Sequence, residues 1–485
     1  TSIISADLGA FPLVWVIPLA LYLLTFVLAF SARLRIPEAV VVFGFLISVI
    51  AVIVPMAMNM LPGLGWIGFA VLFAAFFGVA LLFHMRLYDT RPPEAGLTPF
   101  YFAMASGGAL GGLFNSVVAP LVFDSAIEAP IVFAIAGLAL GGMWRPLRDA
   151  VSAAVALGIV SSVILMCLAT GLVVLKSTGF LLTVGALVIA ALLIARQQPL
   201  RFTLTSAGLM LLGYMTFWNQ GITHRERSFF GVYVVRDEIA TGLRHLTNGT
   251  TQHGLQFLDD LGKRPRILSY YHPNSPLGQI FRSDAVGPEA RVGVVGLGVG
   301  ALSCYAEPGQ DWRFYEIDRL VDDIARNPAF FSYLEHCAGD APTILGDARL
   351  TLARETGAPF DILVIDAYSS DAIPIHLITI EALALYLSRL APNGLLALHI
   401  SNRYFKLAPL LANAARELGI RALEQERLGT AANPLAPGED GSEVVLMAPD
   451  PKALDGFAND PRWHELKPNG RGVWTDDHAN LFRAL

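Results

Sequence analysis

Two hydrophobic patterns divide this chain. Up to about Trp218 the apolar residues come in long runs, at 11–31, 39–60, 64–84, 98–123, 128–144, 150–175, 178–195 and 202–218. Runs of that length predict helices able to cross about 30 Å of hydrocarbon. Beyond residue 220 the runs are short and broken by polar residues. Phe230–Arg236, Gly242–Leu246 and Arg266–Tyr271 read as strands between Gly and Asn turns. From 291 to about 450, strand-like and helix-capable segments alternate, which predicts a mostly parallel sheet. The expected layout is a multi-span α-helical membrane domain over 1–220 with seven or eight spans, a small β-rich subdomain over 221–290, and an α/β domain over 291–485.

Composition sharpens the division. Mean hydropathy is +0.55 and only 15% of residues are charged, too apolar for one soluble protein. Residues 1–220 hold nine of the 34 Lys and Arg and seven of the 40 Asp and Glu. No run carries a charge at its centre, which argues against an ion path. Glycine-rich patches at 107–112 and 137–142 allow close helix packing. Arg33 with Arg35, Arg86 with Arg91, Arg145 with Arg148, and Arg196 with Arg201 fall in alternate connections, and the positive-inside rule makes those connections cytoplasmic.

The chemistry concentrates between Val292 and Asp318. A buried strand, Val292–Val295, breaks into Gly296, Gly298 and Gly300, and a second strand ends about twenty residues later in Glu316. Glycines let the backbone turn tightly against a ligand, and an acid at the end of the second strand accepts from ribose hydroxyls. The pattern does not by itself separate a dinucleotide from an adenosyl thioether or sulfonium. Acids at the next two strand ends do: Asp347 after Thr343–Leu345 is placed to accept from an adenine amino group, and Asp366 after Phe360–Ile365 to face the reacting carbon.

From Arg291 to Tyr404 the chain resembles the spermidine synthase family, aminopropyltransferases with a methyltransferase-like, Rossmann-type fold. More narrowly it resembles the bacterial membrane-fused members. The residues carrying this are Gly296-Leu-Gly-Val-Gly300, Phe314-Tyr-Glu-Ile-Asp318, Gly346-Asp-Ala348, Asp366-Ala-Tyr-Ser-Ser-Asp371 and His399-Ile-Ser-Asn-Arg403. Upstream, Arg225–Gly231, Asn248–Gln252 and Tyr270-Tyr-His272 match the β-rich lead-in. Two positions depart from the family. Val299 stands where its glycine loop carries an acid that holds an aminopropyl amine, and four residues rather than two separate Asp366 from Asp371.

The resemblance implies catalytic roles for Asp366, Tyr270 and Tyr271. It implies cofactor binding by Gly296, Gly298, Gly300, Glu316, Asp347, Ala348 and Gln252, and substrate binding by His272 and Asp371. The cofactor it implies is S-adenosylmethionine or its decarboxylated form, used as co-substrate, with no metal. The expected activity is alkylation of an amine, either a polyamine or an amphiphile delivered from the membrane. A methyltransferase, a lyase, and a nucleoside-sensing domain coupled to a transporter are the alternatives. His399, on an apolar strand, reads as a core histidine, and Asp476-Asp477-His478 as a solvated tail. Besides the small amine or amphiphile, the expected partners are the lipid bilayer and a second copy in a homodimer, with no nucleic acid.

Eight crossings put residues 220–485 outside the cytoplasm. A donor made in the cytoplasm argues the other way, with one of the shortest runs, 128–144 or 202–218, failing to cross. The expectation is an integral protein of a bacterial inner membrane with a cytoplasmic catalytic domain. Cys304 and Cys337 are accordingly expected as reduced core residues.

Overall fold

The computed structural model describes residues 16–31, 36–58, 60, 66–141, 146–169, 178–196, 198–249, 251–368, 374–401, 405–430, 433–470 and 472–480. The chain separates into two compact units, one ending at Gln220 and one running from Gly221 onward.

The first unit is helical: α1 (Val16–Phe30), α2 (Glu38–Ala57), α3 (Trp66–Asp89), α4 (Leu97–Leu113), α5 (Glu128–Ile135), α6 (Pro146–Ala169), α7 (Thr178–Ala195) and α8 (Pro199–Gly213). Small residues set its packing. A Cβ on Gly78 of α3 would lie 2.5 Å from Ser48 Oγ of α2, and one on Gly213 only 2.2 Å from the Ala57 carbonyl. Among the described residues, three helical stretches are long and apolar enough to cross a membrane: Glu38–Ala57, Ile67–Asp89 and Glu94–Val122. The expected span at 128–144 is shorter. Its α-helix stops at Ile135 and a tighter turn carries it to Ala139, together about 18 Å. Gly137 and Gly141 weaken helix propensity there.

The second unit holds two sheets. In the first, β1 (Ile222–Arg227), β2 (Val232–Glu238), β3 (Leu243–Asn248) and β4 (Thr251–Phe257) form an antiparallel meander in chain order. The expected strand at Arg266–Tyr271 is irregular instead. Pro265 precedes it, Ser269 adopts a left-handed backbone (φ 61°), and only Ser269 pairs, with Glu439. The second sheet contains β5 (Arg291–Val295), β6 (Asp311–Glu316), β7 (Thr343–Leu345), β8 (Phe360–Ile365), β9 (Leu390–His399), β10 (Arg421–Arg427), β11 (Ser442–Ala448) and β12 (His464–Glu465).

The order in space is β7-β6-β5-β8-β9-β11-β10-β12. The first five are parallel, and β11 runs antiparallel between β9 and β10. Chain order reverses between β5 and β8, so a crevice opens at their carboxyl ends, where ligands of such sheets bind. Helices α9 (Arg319–Arg326), α10 (Tyr333–Cys337) and α11 (Ala348–Ala353) follow β6 and β7 in the chain.

One apolar core runs through both sheets of this unit, from Tyr233, Val235 and Leu246 to Val294, Phe314 and Val364. Polar ties reinforce it. Buried Arg244 of β3 pairs with Asp237 at 2.7 Å and donates to the carbonyls of Ala329 and Phe330. Gln256 of β4 accepts from Ser332 N at 2.9 Å.

Cys304 and Cys337 are joined as a disulfide rather than reduced. The turn after the glycine loop and the end of α10 bring their Cα atoms to 4.7 Å, within bridging range. Their approach follows from Gly300, where a Cβ would meet the Leu334 side chain at 2.7 Å.

The glycine loop gives the first prediction. A Cβ at Gly296 would sit 2.3 Å from the Asp366 carbonyl, on a backbone at φ +93°. Gly296→Ala is expected to cost about 1–3 kcal/mol or more. Gly456→Ala, where a Cβ meets nothing, should stay within about 0.5 kcal/mol of the parent. Equal denaturant midpoints for the two variants would refute the close approach.

Candidate active site

The crevice is built from backbone first. Gly296 N donates to Tyr315 O at 2.8 Å and Asp366 N to Val295 O at 2.8 Å, locking the ends of β5, β6 and β8 together. Gly298 turns under β4, where a Cβ would lie 2.4 Å from the His253 carbonyl. Val299 donates its own N–H to that carbonyl at 3.2 Å and is only 1% exposed, against Gly254 of β4. Val299 is therefore an apolar core contact of the loop.

Glu316 ends β6 at 9% exposure. One carboxylate oxygen accepts from Leu297 N at 3.0 Å, and the other from Ile317 N at 2.8 Å and Asp318 N at 3.0 Å. Burial pushes its carboxyl up, against those three bonds. Oε2 keeps one lone pair, the acceptor capacity a ribose hydroxyl needs. Asp318 caps α9 by accepting from Leu320 N at 3.0 Å and also accepts from Ser228, in the β1–β2 turn.

Asp366 ends β8, and its side chain is 1% exposed. Oδ2 accepts from the Tyr271 hydroxyl, and Oδ1 faces His399 Nδ1 at 2.6 Å. His399 Nε2 lies 2.8 Å from Ser401 Oγ, which accepts from Glu443 N at 2.8 Å. One proton arrangement satisfies every atom of this chain: Ser401 donates to Nε2, and neutral His399 donates from Nδ1 to the carboxylate.

The Tyr270 ring stacks on His399 at 4.4 Å, and the Tyr368 hydroxyl donates to the His399 carbonyl at 2.8 Å. Burial, and then the Asp366 charge, pushes both the Tyr270 and Tyr271 hydroxyls well up, so they serve as donors and not as bases. His399 is thus more than a core residue. The β8–β9 register pairs Ile365 with Leu398, so the next residues, Asp366 and His399, stand side by side at adjacent strand ends.

A second carboxylate borders Tyr270. Asp440 Oδ2 accepts from Ser269 Oγ at 2.7 Å and Gln252 Nε2 at 2.9 Å. Its charge also raises the Tyr270 hydroxyl. Gln252 is therefore committed to a protein carboxylate. His272 accepts from Asn274 N at 3.2 Å, and burial lowers its imidazole.

Asp347 caps α11, accepting from Leu350 N at 3.0 Å, with Oδ2 lying 3.1 Å from His376 Nε2. Ala348 begins that helix and is buried. Asp371 lies outside the described residues. Asp476 is no solvated tail: it pairs with Arg349 at 2.5 Å and accepts from Thr379. Among the described residues no group of His, Cys, Asp and Glu could hold a metal ion.

No family model matches the chain, and no curated protein does. Among solved structures it is similar to a probable spermidine synthase from Corynebacterium glutamicum, at 15% identity over 54% of this chain and 98% of that one, with TM-score 0.38. It is also similar to spermidine synthase from Thermotoga maritima, at 15% identity over 53% of this chain and 81% of that one, with TM-score 0.31. The O-methyltransferase TomG from Streptomyces achromogenes is similar at 17% identity over 36% of this chain and 80% of that one, with TM-score 0.26.

Glu316 yields the second prediction. Removing its charge in Glu316→Gln should weaken binding of S-adenosylhomocysteine by about 1.5–3 kcal/mol. Calorimetric titration checks this, and unchanged affinity in a variant with unchanged thermal midpoint removes the ribose assignment.

Proposed function

We propose that the second unit is an alkyltransferase that draws its alkyl group from S-adenosylmethionine or its decarboxylated form and places it on an amine. The observation that carries this reading is the meeting, at one switch point, of a glycine loop, the buried acid Glu316 and the Tyr271–Asp366–His399–Ser401 chain. The residues present fit the adenosyl part of such a donor. The glycines let the loop turn tightly against the Asp366 and His253 carbonyls where no Cβ fits, and Glu316 retains an acceptor lone pair.

The chemistry asks mainly for alignment and desolvation. A neutral amine attacks the carbon attached to the sulfonium: the C–N bond forms, the C–S bond breaks, and its electron pair stays on sulfur. The amine must give up one proton. Asp366 accepts it, while the Tyr271 hydroxyl and the His399 N–H hold the carboxylate in one rotamer. Because its side chain is 1% exposed and both oxygens already accept, the amine reaches only the remaining lone pairs. His399 is then a positioning residue. Asp440, held by Ser269 and Gln252, supplies a second negative charge for a cationic acceptor.

Val299 supports a second reading of the same site. With that position buried and apolar, the loop offers no acid to an aminopropyl amine, which favours methyl transfer from the same class of donor. Mass spectrometry of the released nucleoside separates them: methylthioadenosine marks aminopropyl transfer, and S-adenosylhomocysteine marks methyl transfer. Release of neither, with folded full-length chain, sinks the transferase.

We place this unit on a membrane through the first. Beyond its length and apolarity, the bundle turns many large apolar side chains outward, among them Leu121 (81% exposed), Phe102 (74%) and Ile194 (70%), a surface that hydrocarbon would cover.

Three variants test the roles. Asp366→Asn should lower turnover by roughly 10²–10⁴ with nucleoside affinity nearly unchanged. His399→Gln should lower turnover less and shift the pH–rate profile; an unaltered profile would make His399 merely structural. Asp440→Asn should raise the KM for a diamine about tenfold or more with little change in kcat, since it removes binding charge only. Equal KM for diamine in that variant would contradict the role given to Asp440.

A further inference from the structure

Within the first unit, the ends of the helices sort into two sets. At one end Glu38, opening α2, pairs with Arg86 near the end of α3 at 2.7 Å. Arg86 Nε also donates to the Ala139 carbonyl, just past α5, at 3.0 Å. A Cβ on Gly137 would lie 2.6 Å from Phe202 of α8, so the start of α8 belongs to the same end. Arg201 of α8 pairs with fully buried Asp149, in the first turn of α6, at 3.2 Å. The start of α6 is therefore there as well.

The other end is fixed by α2 itself. Its 20 residues carry the chain about 30 Å from Glu38 to Ala57. There Trp218, just past α8, donates its indole N–H to the Met56 carbonyl at 2.9 Å, and Gly213 abuts the Ala57 carbonyl. Helix α8 thus starts at the arginine-bearing end and delivers the chain to the opposite one. Short α5 does not break the alternation, because its following turn reaches Arg86.

The charge bias between the two ends is strong. Among the described residues Arg86, Arg91, Arg148, Arg196 and Arg201 lie in or beside connections of the first end, and in sequence Arg33 and Arg35 fall between α1 and α2 and Arg145 just before α6. Of the remaining Lys and Arg up to residue 227, Lys176 falls in sequence between α6 and α7, and past the bundle Arg225 and Arg227 belong to the folded strand β1. Short-loop arginines mark the cytoplasmic side, and folded domains translocate largely regardless of their own charge. A second observation, in the other unit, points the same way. Cys304 and Cys337 are disulfide-bonded, a state that persists in oxidising compartments and is rare in the cytosol.

We infer that residues 221–485 lie on the extracytoplasmic, oxidising side of the membrane, with the Cys304–Cys337 disulfide formed in the working protein. This rests on the membrane reading above and reverses the expectation of a cytoplasmic catalytic domain. Any adenosyl donor made in the cytoplasm must then cross the bilayer before it meets Glu316, so a transport step precedes the reaction.

The test uses the full chain in living bacteria. Alkaline phosphatase fused after Leu485 should be active and green fluorescent protein fused there should be dark. In the Cys167→Ala variant, which leaves Cys304 and Cys337 as the only cysteines, a maleimide polymer added to denatured protein should react only after a reductant. A fluorescent fusion, or two thiols that react without reductant, overturns the inference while the protein remains in carbonate-washed membranes. Release of the chain by carbonate overturns the membrane reading itself, and loss of transferase activity in vitro bears on neither.

Discussion

The second unit depends on how closely three strand ends approach one another. Gly296 lets the loop after β5 run against the backbone of Asp366, with no room for a Cβ between them. That contact holds the glycine loop and the carboxylate at the same point of the sheet, where chain order reverses. Glu316 joins them from β6 by accepting from Leu297 of the loop. The glycine loop and the candidate base are thus fixed by the ends of the strands, which are stiffer than free loops. The loops supply what remains: Tyr270, Tyr271 and Ser269 from the irregular stretch before β5, and Asp440 from the turn before β11.

Burial gives these groups their chemical character. Asp366 is almost closed to water but fully provided with donors, so its charge is tolerated without a cationic partner. The phenols of Tyr270 and Tyr271 are driven upward by the same burial and by Asp366 itself, which keeps them donating. Glu316 is held by three backbone N–H groups, a geometry that keeps its carboxylate aimed at the loop. Val299 shows the opposite case. An apolar side chain sealed under Gly254 puts no charge at that point of the loop.

The sequence revealed the parts of this arrangement that depend on short-range pattern. The runs ending at Val295, Leu345 and Ile365 stand out because buried parallel strands are nearly all apolar, and each of these stops at Gly or Asp. The strand ending at Glu316 stands out instead by its terminal acid, about twenty residues past the glycines. The β1 strand, Ile222–Arg227, did not stand out, because its Thr-His-Arg-Glu-Arg stretch lies at a sheet edge, where polar residues are favoured. His399 looked like core because its strand is apolar, and only the β8–β9 register puts it beside Asp366. The Gln252–Asp440 bond spans 188 positions and the disulfide 33, separations at which one chain carries no local signal. Asp347 caps a helix whether or not it also meets an adenine. Sequence does not distinguish these two uses of the same residue.

The proposed function requires an adenosyl ligand in the switch-point crevice between β5 and β8. Hydrogen–deuterium exchange of the full-length chain, with and without saturating S-adenosylhomocysteine, tests it most directly. Slowed exchange is expected only at the loop 296–300, the end of β6 at 314–318, the start of α11 at 346–350, and 366–368. Unchanged exchange in these segments under conditions where the ligand binds, or protection appearing elsewhere instead, would contradict it.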